Sequence, residues 1–160
     1  MLLFLDTEFT DALDCDLISI GLVSEDGQHE LYLERSDYRA EWCNSFVRAA
    51  VLPQLGRAGV PCEIDGLRSQ IAKWLGKFVN PVTVACDSFI DWELLVDILG
   101  PERPSNLLGP YDIRKHLNQN KFNHGVAEYH AIQGPWHHAL HDAKALRHGW
   151  LAVGGLRHTT

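Results

Sequence analysis

The chain opens with an apolar run that an acidic residue interrupts. Residues 1–5 are Met-Leu-Leu-Phe-Leu, and Asp6 follows them directly. No basic segment precedes the run and no cleavage-type site follows it, so it indicates a buried β-strand rather than a secretory signal. It is far shorter than the roughly 20 apolar residues that cross a bilayer, and no later run approaches that length. We therefore expect a soluble protein with this strand at the centre of a sheet.

Size, cysteine content and charge limit what this protein can be. The chain has 160 residues and is 46% hydrophobic, which suits one domain, residues 1–160, with a continuous core. Its four cysteines form no C-x-x-C pair, so we expect reduced thiols and a cytoplasmic location. The formal net charge of −7 disfavours long nucleic acid held through its backbone. A short substrate end drawn in by metal ions is compatible with that charge.

Strand-like patterns follow the opening run. Residues 17–23 are rich in β-branched side chains, and residues 29–34 place Leu31 and Leu33 on one face. The sequence Glu-Asp-Gly at 25–27 predicts a turn, so these two segments should form a hairpin. Three antiparallel strands are therefore expected first.

Helices and strands alternate in the remainder. Residues 42–51 have apolar side chains at helical spacing until Pro53, and Asp65 is expected to cap a second helix that reaches Phe78. The interval 115–135 shows no clear pattern. The order predicts an α/β fold with a mixed five-stranded sheet flanked by helices. Four further elements are expected, in the order strand, helix, strand and helix: 82–86, 91–99, 106–111 and a helix beyond Pro135.

Two carboxylates stand at the end of the first strand. Asp6 and Glu8 flank Thr7, and the alternation of a strand places both acids on the same side. Unpaired acids there would suffer from desolvation and mutual repulsion, which Mg²⁺ or Mn²⁺ would offset. An isolated D-x-E is also compatible with a solvated strand end, so the pair needs further acids to support a metal site.

A second acidic group follows the predicted strand 82–86. Asp91 begins a helix, and parallel strands lying side by side would bring it close to Asp6 and Glu8. Asp87 is its rival for that role, and either acid could instead cap the helix.

The third group lies in the segment His-His-Ala-Leu-His-Asp-Ala at 137–143. Asp142 falls on the apolar face of the last helix, where an unpaired charge would cost several kcal/mol, so a metal or another cation should lie opposite it. His137 precedes it with four residues between them, and His138 and His141 are neighbouring candidates for the same role.

Together these residues resemble the DEDDh branch of the DnaQ-like 3′-5′ exonucleases. The compact bacterial 3′-5′ exoribonucleases with a D-T-E-F opening are the most similar. Asp87, Ile90 and Ser19 stand where that family often has Asn, Phe and Glu, and none of them replaces a catalytic acid. The resemblance covers nearly the whole chain, in four segments: 4–10, 18–21, 87–95 and 137–143.

The resemblance implies a ribonuclease H-like fold and a two-metal hydrolysis. In it, Asp6, Glu8 and Asp142 bind two divalent ions, Mg²⁺ or Mn²⁺, about 4 Å apart, and Asp91 supports the second ion. His137 is the general base that takes a proton from the attacking water. The implied substrate is the 3′ end of single-stranded or short RNA, and the product is a nucleoside 5′-monophosphate.

The resemblance also implies substrate contacts and an assembly state. Phe9 and Thr10 would pack against the terminal nucleotide, although Phe9 is equally compatible with the core. The related compact enzymes are commonly homodimers, and Trp42 or Trp136 could serve that interface or lie in the core.

Three other hypotheses stay open. A DNA exonuclease of the same family would carry the same residues. A zinc enzyme is suggested by the many histidines in 116–148 and by the i,i+4 spacing of His137 and His141, although H-E-x-x-H is absent. The non-enzymatic alternative is a nucleic-acid-binding or assembly module that kept the fold and lost the chemistry.

Overall fold

The sheet of this protein is mixed, as predicted. The computed structural model describes residues 1–56 and 60–155, so the predicted domain end at residue 160 lies outside them. Within the described residues five strands form one sheet in the order β3-β2-β1-β4-β5. The first three strands are antiparallel, whereas β4 runs parallel to β1, and β5 to β4. The strands are β1 (Leu2–Phe9), β2 (Leu17–Ser24), β3 (Glu30–Glu34), β4 (Val82–Cys86) and β5 (Leu107–Asp112).

The first strand is longer than the apolar run that predicted it. Its pairing with β2 continues to Phe9 opposite Leu17, so Asp6 and Glu8 lie inside the end of the strand and not after it. The hairpin between β2 and β3 is confirmed, and Gly27 occupies its turn with a φ of 74°. A positive φ of this kind suits a residue without a Cβ.

Helices cover both faces of the sheet. In the described ranges they are α1 (Ile64–Leu75), α2 (Phe89–Leu99), α3 (Arg114–Leu117), α4 (Asn120–Ile132) and α5 (Ala139–Ala152). Within those ranges no helix is both long and apolar enough to span a membrane. The four cysteines all lie in described segments and are unpaired.

The first predicted helix was wrong in the form of its backbone. The predicted helix at 42–51 is a series of short turns: a 3₁₀ turn at Ala40–Trp42, a π-helix at Val47–Val51 and a 3₁₀ turn at Leu52–Gln54. Pro53 has no N–H to continue a regular α-helix there.

The cap and the end of the second helix also differ from the prediction. Glu63 occupies the N-cap position of α1 in place of Asp65, which instead pairs with Arg68 one turn later. Phe78 lies beyond the last residue of that helix. In addition, the unpatterned interval 115–135 contains most of α3 and all of α4.

Strand alternation divides the core into two layers. Leu3 and Leu5 pack with α1 and α2, whereas Leu2 and Phe4 pack with α4 and α5 on the opposite face. Trp150 of α5 is buried against Phe4 in the second layer. These contacts place α2 and α5 on opposite faces of β1. The start of each helix lies near the end of that strand.

Candidate active site

The end of β1 presents two carboxylates to the layer that contains α5. Gly21 of β2 pairs with Asp6 and faces the backbone of Ala139 and Leu140 at the start of that helix. A Cβ at Gly21 would lie only 2.3 Å from the Leu140 backbone nitrogen. Because directly paired residues of an antiparallel ladder point to the same face, Asp6 also points toward α5. The missing side chain at Gly21 therefore allows the helix to approach the acids.

Asp91 approaches from the other face of the sheet and is held by Thr7. Asp91 is only 2% exposed. The backbone N–H and the hydroxyl of Thr7 donate to its Oδ1, at 3.2 Å and 2.6 Å. Its Oδ2 is buried and has no hydrogen-bond partner among the described residues. A buried carboxylate oxygen without a partner is costly, and a cation would satisfy it.

Neither acid in this segment acts as the helix cap. Ser88 is the N-cap of α2, and its hydroxyl accepts a hydrogen bond from the Ile90 N–H at 3.2 Å. Asp87 is exposed, whereas Asp91 is buried in the first turn. Capping therefore does not explain the buried Asp91, whereas the exposed Asp87 is accessible to solvent.

Asp142 stands in the first turn of α5. The backbone N–H of His138 donates to its Oδ2 at 2.8 Å, which fixes the carboxylate at the start of the helix. Its Oδ1 lies 3.2 Å from His130 Nε2. The following residue, Ala143, is buried in the layer between α5 and the sheet.

The five acids form two groups that share one member. Ligand oxygens of Asp6, Asp87 and Asp91 lie within 4.8 Å of one another, and so do those of Asp6, Glu8 and Asp142. Carboxylate oxygens at this spacing are the ligands that Mg²⁺ and Mn²⁺ prefer. The predicted acids Asp6, Glu8, Asp91 and Asp142 are thus brought together, and Asp87 joins Asp91 instead of replacing it.

The electrostatics of the acids agree with a site built for cations. Burial, followed by repulsion from the other acids, raises the pKa of Asp6 well above its usual range and that of Glu8 to about 8. Burial is also the main reason why the pKa of Asp91 rises to about 7 and that of Asp142 to about 6. In each case burial and mutual repulsion disfavour the charged form, and a bound divalent ion would favour it.

The acids line a cleft of about 310 Å³. His137 lies on its wall, and its ring meets the edge of Phe46 at a centroid distance of 4.8 Å. The two neighbouring candidates point elsewhere. The His138 ring stacks on Tyr32 at 4.4 Å, and the His141 Nδ1 forms a hydrogen bond with the Tyr129 hydroxyl at 3.0 Å.

His137 has an unusual backbone conformation that Gln54 holds in place. Its φ is 62°, a left-handed value that costs a residue with a Cβ roughly 1–2 kcal/mol. The Gln54 side-chain amide lies 3.0 Å from the His137 carbonyl and 2.6 Å from the Trp136 carbonyl. The same amide lies 2.8 Å from the Ala50 carbonyl in the π-helix. Gln54 thereby ties the segment before α5 to the turns at 47–54, a role that sequence reasoning missed.

His130 and Trp136 also line this cleft, and neither was predicted as a site residue. His130 lies in the interval without a clear pattern, so no sequence signal distinguished it from the other histidines. Trp136 stood out only as an aromatic that was expected at a dimer interface or in the core. Its position directly before His137 is the signal that could have assigned it to the site.

Phe9 and Thr10 have different environments. Phe9 is partly buried and lines the cleft. Thr10 is fully buried, and its hydroxyl donates to the Asp14 carbonyl and accepts from the Asp16 N–H. Thr10 therefore stabilises the loop after β1, and its side chain does not line the cleft.

The arrangement does not support the zinc hypothesis. In the described part of the chain, the groups of side chains close enough to share a metal ion contain carboxylates alone. Although His137 and His141 have helical spacing, His137 lines the cleft, whereas His141 forms a hydrogen bond with the Tyr129 hydroxyl. Oxygen ligands favour a hard cation such as Mg²⁺ or Mn²⁺, whereas zinc sites are rich in nitrogen and sulfur ligands.

Comparisons with known proteins support the fold. No family model matches the chain, and no curated protein is similar to it in sequence. The structure is similar to that of cell-death related nuclease 4, with a TM-score of 0.62 and 15% identity over 96% of this chain. The match covers 64% of that nuclease, so this chain spans less than two thirds of its length. The predicted ribonuclease H-like fold is thus confirmed.

Proposed function

We propose that this protein is a single-domain, metal-dependent 3′-5′ exonuclease of the DEDDh type. The observation that carries the proposal is the pair of acidic groups that share Asp6, with His137 on the wall of the same cleft. A purely structural role does not account for so many acids with raised pKa values. The fold shared with cell-death related nuclease 4 is consistent with the same class of chemistry.

The residues fit two divalent ions, Mg²⁺ or Mn²⁺. Asp6, Glu8 and Asp142 would hold one ion, and Asp6 and Asp91, with Asp87 nearby, would hold the other. When bound, such ions lower the pKa of a water molecule and stabilise the charge on the attacking and leaving oxygens. The buried Oδ2 of Asp91 is the unsatisfied ligand atom that supports this assignment.

Several other groups keep these ligands and the base in position. Thr7 orients Asp91, and the backbone N–H of His138 orients Asp142. His137 acts as the general base, because its ring lines the cleft beside the acids, where an imidazole nitrogen can accept a proton from a nearby water. Phe9 packs against the terminal nucleotide, and Thr10 supports it indirectly by holding the adjoining loop.

The proposed substrate is the 3′ end of single-stranded or short RNA, and the product is a nucleoside 5′-monophosphate. RNA is preferred over DNA because the motifs resemble those of compact bacterial exoribonucleases. The net charge of −7 supports a short substrate end over a long polymer.

A cytoplasmic location and a homodimer complete the proposal, and the dimer rests on the resemblance alone. Neither predicted interface aromatic supports it. Trp42 packs beneath the Arg39 guanidinium, 4.0 Å from its carbon, and Trp136 lines the cleft.

The test uses short 5′-labelled RNA and DNA with Mg²⁺ or Mn²⁺. The wild-type protein should shorten RNA stepwise from the 3′ end, and DNA more slowly. Asp6→Asn should abolish the reaction, and His137→Ala should slow it by about 100- to 10,000-fold. Asp91→Asn and Asp97→Asn form a matched pair on α2, because Asp91 is buried in the site and Asp97 is exposed. Only the first should lose activity.

Three outcomes would contradict the proposal or part of it. Faster shortening of DNA would favour the DNA exonuclease. A protein that binds these oligonucleotides without shortening them would be the non-catalytic module. Full activity in Asp6→Asn would show that the acids take no part in the mechanism.

A further inference from the structure

The indole of Trp136 is an exposed aromatic surface with a rigid support. It is 50% exposed and lines the acidic cleft. One face stacks on the His130 ring, with a centroid distance of 3.8 Å and an interplanar angle of 23°. Because His130 covers this face, a ligand would have to stack on the opposite face of the half-exposed indole.

The support beneath the indole is connected to the metal ligands. The His130 side chain is 1% exposed, and its Nε2 lies 3.2 Å from Asp142 Oδ1. Its Nδ1 lies 3.1 Å from the Gly134 carbonyl. On the other side, Gln54 holds the Trp136 carbonyl at 2.6 Å. The indole is therefore fixed relative to Asp142, which reduces the entropy lost when a planar ligand binds to it.

The charge of the cleft leaves little else to bind a nucleotide. Among the described residues that line it, four are Asp and one is Glu, and none is Lys or Arg. The protein itself thus supplies no fixed positive charge there for a phosphate. Affinity beyond that provided by metal ions must come from uncharged contacts, and stacking of a nucleobase on an aromatic ring is a strong contact of that kind.

We propose that Trp136, supported by His130, is the stacking platform for a nucleobase of the substrate, within the last two nucleotides at the 3′ end. The inference rests on the proposed nuclease function and deepens it. The ligand class is a nucleotide with an intact planar base, and every base is accepted because each has a π face. Substrate affinity then depends on bases and metals, and only weakly on contacts between the protein's own charges and the phosphates.

The test removes the base and the indole separately and together. One substrate is a short RNA, and two others carry an abasic tetrahydrofuran residue at the last or the next-to-last position. The wild-type protein should lose roughly 10- to 100-fold in kcat/KM, mainly through KM, when the stacked base is removed. Trp136→Ala should lose as much on the intact RNA and almost nothing further on the corresponding abasic substrate. Trp136→Phe should retain most of the activity.

A control variant separates stacking from a general loss of structure. Val79→Ala alters a side chain that is 97% exposed and precedes β4, at the strand end opposite the cleft. It should leave all three substrates unaffected, and melting temperatures should show that each variant folds. If Trp136→Ala slows the abasic and intact substrates equally, the residue has a structural role and the inference is wrong.

A binding measurement keeps the inference separate from the proposed function. If the wild-type protein hydrolyses nothing, the nuclease proposal fails. Tryptophan fluorescence then tests the platform with adenosine 5′-monophosphate and Mg²⁺. Saturable quenching that disappears in Trp136→Phe supports the inference, and quenching that is absent or unchanged in the variant overturns it.

Discussion

Gly21→Ala should disable the site through the position of a helix. The added Cβ would lie 2.3 Å from the Leu140 nitrogen and 2.4 Å from the Ala139 carbonyl carbon. Ordinary van der Waals contact begins at 3.4 Å, so the start of α5 must retreat by the difference, about 1.1 Å. Both contacts are backbone atoms, which cannot rotate away as a side chain could.

The displacement would separate Asp142 from Asp6. Because Asp142 belongs to the first turn of α5, it should move with the helix start. A misplacement of about 1 Å costs roughly 100-fold in rate when it separates catalytic groups. Overpacking of this kind should also destabilise the fold by about 1–3 kcal/mol. For a domain of this size, each kcal/mol lowers the melting temperature by about 2–4 °C.

Gly66→Ala is the matched control. Its Cβ would meet Cys62 Cβ at 3.5 Å, an ordinary contact, and Gly66 lies within α1 on the other face of the sheet. It should keep full activity and gain about 0.5–1 kcal/mol in stability, since Ala favours a helix more than Gly. Exonuclease rates and thermal melts of both variants provide the measurements. If Gly21→Ala retains activity and melting temperature within error, the close approach of α5 does not control the site.

Three further predictions concern pH, metal affinity and the base. In the metal-free protein, Glu8→Gln should raise the melting temperature at pH 8.5, because the folded-state pKa of Glu8 is about 8, against 4.5 when unperturbed. The folded wild type binds more protons than the unfolded chain between these values, so its stability falls as pH rises, and the gain should vanish near pH 4. A gain in melting temperature that is constant across pH would exclude the raised pKa of Glu8 as its cause. Thr7→Val should weaken Mn²⁺ binding about 10- to 100-fold in thermal-shift titrations, because it removes a hydrogen bond to Asp91. Unchanged affinity would show that Asp91 needs no such support. Gln54→Ala should lower kcat about 10-fold with little change in KM, whereas Gln70→Ala, exposed on α1, should have no effect. Equal losses in both would argue against a role in holding His137.

The sequence predicted the sheet and the acids because strong local signals mark them. Residues 2–5 and 17–23 are apolar enough to be central strands, and the acids interrupt or follow such runs. Two strands that are parallel neighbours must end at the same edge, so the meeting of Asp6 with Asp91 followed from the order of the elements. The exact end of β1 did not follow from the sequence, because pairing with β2 extends the strand past its apolar part.

The missed helix α4 has a physical explanation in its contacts. It packs on α5 through Gly125, where a Cβ would lie 3.0 Å from the Gly149 Cα. Close packing through glycines needs few large apolar side chains, so the helix lacks the periodic pattern that prediction depends on. His130 and its support of Trp136 were missed with it. At 47–54 the pattern predicted the burial correctly and the backbone wrongly. Val47 and Val51 are buried, but the backbone there is not a regular α-helix.

The acids that converge on β1 come from distant parts of the chain, and this affects when the protein can act. A ribosome releases Asp6 and Glu8 early, whereas Asp142 emerges only after every strand of the sheet has been made. A nascent or truncated chain that lacks α5 holds the first acids without their partner. The full cluster of acids therefore exists only once the sheet and α5 have both been made and packed together.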